Sequence, residues 1–300
     1  MFLMSCGTGI EVTEHVSDKD VKRVITQIDQ HEPRVTLDHY IDSVPAWQND
    51  KKRFWVADNQ VRLLMGVDAD PVADTVDLSG HVLVFKGYEL GSLYDNRQTV
   101  NLLFKDELDN SKTYIYRTGK TIGEFSSAFT IPMLIDLDMV SHIARQMEGM
   151  DYYIRTAIWY ECESAQMING RHFIKVHVDS VLPGNAVLPL RVVFSTCDSG
   201  QRAMVWMSEN NKAMLGRDFD ALFDCSDPRH QHPEISDKNW ELITQSRVAE
   251  GMTKDECRLA LGSPKRINQN PDQGGMREYW YYDGGAYLYF VDGLLNQYRR

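Results

Sequence analysis

The sequence predicts a modular α+β fold. Two β-rich modules, each preceded by a helix, are followed by a domain of two helices and a three-stranded antiparallel sheet. Three observations carry this expectation. Helical periodicity is confined to short stretches bounded by capping residues. Between them run alternating apolar segments separated by Asp-Asn, Asp-Gly and Gly-Gly pairs, which tolerate the positive φ of tight turns. Two of those segments also match a later pair without a gap, which is how a repeated module reads. The divisions implied are 1–16, a signal remnant and tether; 17–132 and 133–213, a helix with its β module in each; 214–235, a linker; and 236–300, the last domain.

The chain opens Met1-Phe2-Leu3-Met4-Ser5-Cys6-Gly7. An apolar pair, a small residue and a cysteine resemble the end of a bacterial lipoprotein signal, although the charged region and most of the apolar region are missing. Cys6 is then the lipidation site and the mature N-terminus. A helix is expected from Asp18 to His31. Ser17 caps it, and Val21, Val24, Ile25 and Ile28 form one apolar face; Glu32-Pro33 ends it.

Arg53 to Val56 and Gln60 to Met65 flank Asp58-Asn59 and read as a hairpin. His81 to Gly87 reads as a strand, and Thr99 to Lys105 with Lys112 to Arg117 as a hairpin around Asp109-Asn110. A second helix is expected between Asp136 and Glu148, capped by Asp138 and stopped by Gly149. Strands follow at Tyr152 to Trp159, Arg171 to Val178, Leu190 to Phe194 and Arg202 to Met207. The gapless match places Val100 to Phe104 on Leu190 to Phe194, and Lys112 to Tyr116 on Arg202 to Trp206. Upstream, Leu78 to Phe85 resembles Met147 to Ile154. The two copies read as small modules of SH3-like barrel type, with chance alternation as the competing account. Met214 to Pro233 reads as a linker.

The last domain is the most sharply punctuated. Ser236 caps a helix whose Trp240 and Ile243 pack inward. Thr253 and Glu256 form a capping box, Met252 and Cys257 a hydrophobic staple, and Gly262 with Pro264 stops the second helix. Arg277 to Tyr282, Ala286 to Val291 and Leu294 to Tyr298 follow as strands. Gly251-Met252-Thr253, Leu261-Gly262-Ser263-Pro264, Trp280 and Tyr287-Leu288-Tyr289-Phe290-Val291-Asp292-Gly293 together resemble the SmpA/OmlA/BamE-like outer-membrane lipoprotein domain, over about residues 236–300. The resemblance implies a cell-envelope lipoprotein that works by protein binding, in outer-membrane assembly or maintenance. An inhibitor or ligand-binding protein of the envelope is the alternative, by analogy with β-lactamase inhibitory proteins that share the unit. An envelope hydrolase with a scattered active site is a second one. The implied setting is the outer membrane, facing the periplasm or the cell surface.

A net charge of −11 over 300 residues argues against broad nucleic-acid binding. No catalytic, metal or cofactor site is predicted. Asp136 and Asp138 read as helix caps rather than a glycosidase pair. Arg117-Thr118-Gly119-Lys120-Thr121 lacks the first glycine of a phosphate loop. Cys225 to Glu234, with His230 and His232, reads as a polar, proline-bounded linker rather than a metal site. Cys162 and Cys197 read as free thiols, with a disulfide between them as the alternative. What stands out is the tyrosine content of the last strands. Tyr279, Trp280, Tyr281, Tyr282, Tyr287, Tyr289 and Phe290 exceed what one face of a three-stranded sheet must bury, so Tyr279, Tyr281, Tyr287 and Tyr289 mark either a partner-binding face for envelope or outer-membrane proteins or a packing face against the β modules.

Overall fold

The computed structural model describes residues 37–299, apart from His39 and residues 68–75, 93–97, 126–128, 210–215 and 273–274. Cys6 and the helix expected at 18–31 lie outside the described residues. Within them the protein is mostly β: 17 strands form three antiparallel sheets, with four α-helices, α1 (Leu137–Met147), α2 (Phe219–Leu222), α3 (Asp237–Thr244) and α4 (Lys254–Leu261). This overturns the α+β expectation. The helical stretches are short, and most apolar burial comes from strands whose alternate residues face inward. Nor are the first two sheets SH3-like barrels: each is a linear order of six or seven strands.

The first sheet contains β1 (Arg53–Val56), β2 (Met65–Val67), β3 (Val82–Ser92), β4 (Gln98–Asp106), β5 (Tyr114–Arg117) and β6 (Leu134–Asp136), in the order β2-β5-β4-β3-β1-β6. β1 and β2 are not a hairpin. The Asp58 side chain accepts from the Gln60 N–H and so opens a 3-10 turn, Asn59–Leu63. β1 instead pairs with β3 and β6, and its Phe54 and Val56 are buried from both neighbours.

The second sheet contains β7 (Asp151–Ile154), β8 (Ile158–Tyr160), β9 (Met167–Asn169), β10 (Ile174–Pro183), β11 (Leu190–Thr196), β12 (Arg202–Met207) and β13 (Phe223–Asp224), in the order β13-β7-β10-β11-β12-β8-β9. The stretch expected as a single strand, Tyr152 to Trp159, is two strands that do not pair with each other. The segment read as a linker supplies α2 and β13, and Phe219, Leu222 and Phe223 enter the core of this sheet.

Set side by side, the two sheets share one topology. Read from β2 and from β8, the orders β2-β5-β4-β3-β1-β6 and β8-β12-β11-β10-β7-β13 run the same way, and β9 is added outside β8. The first strand of each central hairpin carries a bulge, between Phe85 and Gly87 in β3 and between Val178 and Ser180 in β10. Phe104 faces Phe85 and Phe194 faces Val178, so Phe104 and Phe194 are equivalent, and both are fully buried. The other proposed equivalence fails by one residue. Phe104 pairs with Tyr114, whereas Phe194 pairs with Ala203, so Tyr116 corresponds to Val205. Trp206 points to the opposite face, beside Tyr160, because a one-residue slip exchanges the faces of a strand. The upstream match was also misplaced: β7 corresponds to β1, and β3 to β10.

Helix α1 lies across the inner face of the second sheet, burying Met139, Val140, Ile143 and Met147. Asp136, not Asp138, is its N-cap, accepting from the Asp138 N–H. The third sheet has four strands rather than three: β14 (Arg266–Asp272), β15 (Gly275–Tyr281), β16 (Tyr287–Val291) and β17 (Leu294–Arg299), in sequential order. β14 went unread because its sequence is polar and holds Pro271, a residue tolerated on an edge strand.

Candidate protein-binding face

The third sheet has two chemically distinct faces, and strand alternation sets both. Trp280, Leu288, Phe290 and Leu295 turn inward onto Ile243, Met252, Cys257 and Ala260 of the helical side. The capping box on α4 is formed: Thr253 Oγ1 accepts from the Glu256 N–H at 3.2 Å, and Glu256 Oε2 from the Thr253 N–H at 2.7 Å. Gly262 ends α4 with φ of 79°, and the Tyr282 hydroxyl donates to its carbonyl at 3.2 Å. Burial pushes that hydroxyl up to about 12.

One carboxylate lies on this inner face. Glu278 is buried and receives Lys254 Nζ, Trp280 Nε1 and Gln269 Nε2. Burial alone would raise its carboxyl; the ammonium and the two N–H donors outweigh it, and the group titrates below its ordinary range.

The opposite face carries the four tyrosines singled out from the sequence. Tyr279 stands opposite Tyr289, and Tyr281 opposite Tyr287. The first pair stacks with ring centroids 4.6 Å apart, and Arg266 lies over the Tyr281 ring at 4.6 Å. All four residues are half-buried. Among the described residues, their ring contacts are with each other and with Arg266. The seam with the second sheet is elsewhere, on the helical side. There His172 Nε2 meets the Ile243 carbonyl at 2.6 Å, the His172 N–H donates to the Thr244 carbonyl at 2.9 Å, and Phe173 stacks on Trp240. The sheet thus turns its tyrosines away from that seam. Sequence reasoning missed the arginines of this face. Arg266 pairs with Tyr281, and Arg277 and Arg299 pair with Val291 and Tyr287; counting alternation back from Tyr279 would have found Arg277.

Other polar constellations are structural in character. Lys52 is 4% exposed, with Nζ 2.6 Å from Asp42 Oδ2, 2.6 Å from Asp136 Oδ2 and 3.0 Å from Asp138 Oδ2, and 2.8 Å from the Tyr40 hydroxyl. Burial alone would lower its ammonium; the carboxylates of Asp136 and Asp42 outweigh that and raise it. The cluster ties β1 to the start of α1. His177 Nδ1 lies 2.8 Å from Asp151 Oδ1 on the outer face of the second sheet. Cys197 lies in the turn just after β11, but burial pushes its thiol up, away from the thiolate that nucleophilic chemistry needs. No disulfide joins any two of Cys162, Cys197, Cys225 and Cys257. Among the described residues, no group of three or more His, Cys, Asp or Glu is placed to hold a metal ion, and no helix is long and apolar enough to cross a membrane.

No protein-family model matches the chain, and neither the curated proteins nor the solved structures give a match.

Proposed function

We propose that this protein is a non-catalytic protein-binding module of the bacterial cell envelope, held to the outer membrane by a lipid on Cys6. The observation that carries the binding role is the outward tyrosine face of the third sheet, with arginines among the rings. Tyrosine buries a large ring at the cost of few rotors and keeps a hydroxyl for the wet rim; arginine adds a planar donor fork. Residues of these two types supply much of the binding energy in protein interfaces. The envelope setting rests on the lipobox-like Met1 to Gly7 and on the resemblance of Gly251 to Pro264 and Tyr287 to Gly293 to outer-membrane lipoproteins.

The test is affinity capture from the native envelope with the lipid anchor intact. Replacing Tyr287 and Tyr289 together by Ser is expected to abolish capture of the partner, each ring being worth about 2 kcal/mol, while the melting temperature stays near that of the parent. A folded double variant that captures its partner normally sinks the proposal. In the same preparation Cys6→Ser should release the protein from membranes, since one acylated cysteine is the anchor proposed.

A further inference from the structure

We infer that the free edge of β3 takes up an extended segment of another protein as an added antiparallel strand, apolar at alternate positions and basic between them. This surface is separate from the tyrosine face of the third sheet. Backbone direction defines the edge. The Val100 N–H donates to the Lys120 carbonyl, and the Val100 carbonyl accepts from the Thr118 N–H. Val100 therefore turns both groups away from β3, and alternation turns those of Thr99 and Asn101 toward it. Their partners are Gly91 and Glu89, so the main-chain groups of Tyr88 and Leu90 point away from β4. On that side β1 pairs with β3 only as far as Val84. Main-chain bonds from Phe85 to Asp50 and Lys52 extend the cover by one residue. Among the described residues, no strand lies along Tyr88 to Leu90 on that side. Tyr88, Glu89 and Leu90 are all exposed, so both faces of the strand are open there.

The second sheet shows how such an edge is closed. By the shared bulge, Val178 corresponds to Phe85, Val181 to Tyr88 and Pro183 to Leu90. Val178 is covered as Phe85 is, by main-chain bonds to Gly149 and Met150. Beyond it, Glu148 Oε1 accepts from the Val181 N–H at 2.8 Å, and Pro183 has no N–H to offer. Devices of this kind keep edge strands from recruiting partners. In the first sheet the same two positions keep their N–H groups and carbonyls, which match the backbone of an added strand. Tyr88 and Leu90 stand on one face and Glu89 on the other. The added strand therefore needs apolar side chains beside Tyr88 and Leu90 and a cation beside Glu89. A second copy of this chain fits poorly. An antiparallel pairing in which Tyr88 of each copy bonds Leu90 of the other sets Glu89 against Glu89, and like charges directly opposite destabilise.

The experiment titrates the full chain with a blocked peptide that alternates valine and lysine, followed by calorimetry. Saturable binding is expected. Methylating the valine nitrogens should weaken it about tenfold, the worth of one or two backbone hydrogen bonds. Leu90→Pro gives the first sheet the closure that Pro183 gives the second, and should abolish binding. The Leu90 N–H is not directed at β4, so this variant should melt like the parent. Glu89→Lys leaves the backbone groups in place and should turn the preference toward a peptide alternating valine and glutamate. Equal binding by the parent and a folded Leu90→Pro overturns the inference, as does no saturable binding by the parent. If Leu90→Pro does not fold, Glu89→Lys decides, and an unchanged preference in it overturns the inference. Sedimentation of the parent covers the other occupant: a dimer that Leu90→Pro or Glu89→Lys alters gives the edge to a second copy and removes the peptide.

Discussion

His172 joins the second sheet to the third and shows how one side chain makes such a seam sensitive to pH. Its ring is buried against Phe173, with Nε2 at the Ile243 carbonyl. Burial holds its pKa below the ordinary histidine value, and the carbonyl contact offsets this only in part. The unfolded chain therefore binds more protons than the folded one in the window between the folded and the ordinary value. Stability from this group is present above about 6.5, the ordinary value, and is lost as pH falls through the folded value. Melting followed from pH 8 to pH 5 should show that loss, and His172→Gln should flatten it. An unchanged slope in the variant would place the pH sensitivity elsewhere. Nothing in the sequence marked His172, because its burial depends on a helix end more than seventy positions along the chain.

At the scale of elements, punctuation was legible and pairing was not. The α4 caps follow from local chemistry: a threonine oxygen, a glutamate three residues on and a glycine that accepts positive φ are read directly from spacing. Asp292-Gly293 likewise turns β16 into β17 with both residues at positive φ. Thr253→Ala should thus cost about 1 kcal/mol by removing a cap. Gly262→Val should cost about 1–3 kcal/mol from backbone strain alone, since a Cβ there would meet nothing within 4 Å. Thermal denaturation of both variants tests this, and unchanged midpoints would show the caps to be dispensable. Where local chemistry offers two outcomes, the reading missed. Asp58 could open a hairpin or a helical turn, and Asp136 and Asp138 could each cap α1. The choice was made by which strand lay alongside, and strand partners are distant in sequence. The tyrosine positions were legible because alternation is local, and so was Arg277 on the same strand; Arg266, opposite Tyr281, required the register of a strand that had gone unread.

For the whole molecule, the main result is that one sheet topology occurs twice, and its two copies are covered differently. In the second copy α1 spans β10 and leaves Val181 4% exposed. In the first copy the equivalent of Val181 is Tyr88, across the sheet from Leu102, and it is 50% exposed. Val181→Ala should therefore destabilise by about 2 kcal/mol, whereas Tyr88→Ala should cost under about 1 kcal/mol, as half-exposed sites do. Chemical denaturation compares the two directly, and equal losses would contradict the asymmetry. The central hairpin match was visible in the sequence because β4 and β11 align without a gap. The flanking strands were not, since insertions such as β9 shift their spacing. A chain holding two copies of one meander also faces a hazard during folding: a hairpin of one copy can seek the partners of the other. The row through the bulge is Phe85, Phe104 and Tyr114 in the first sheet but Val178, Phe194 and Ala203 in the second. There Trp159 packs edge-on against Phe194. An exchanged hairpin would leave a hole in one core and crowd rings into the other, so the unequal residue volumes guard each sheet against its twin.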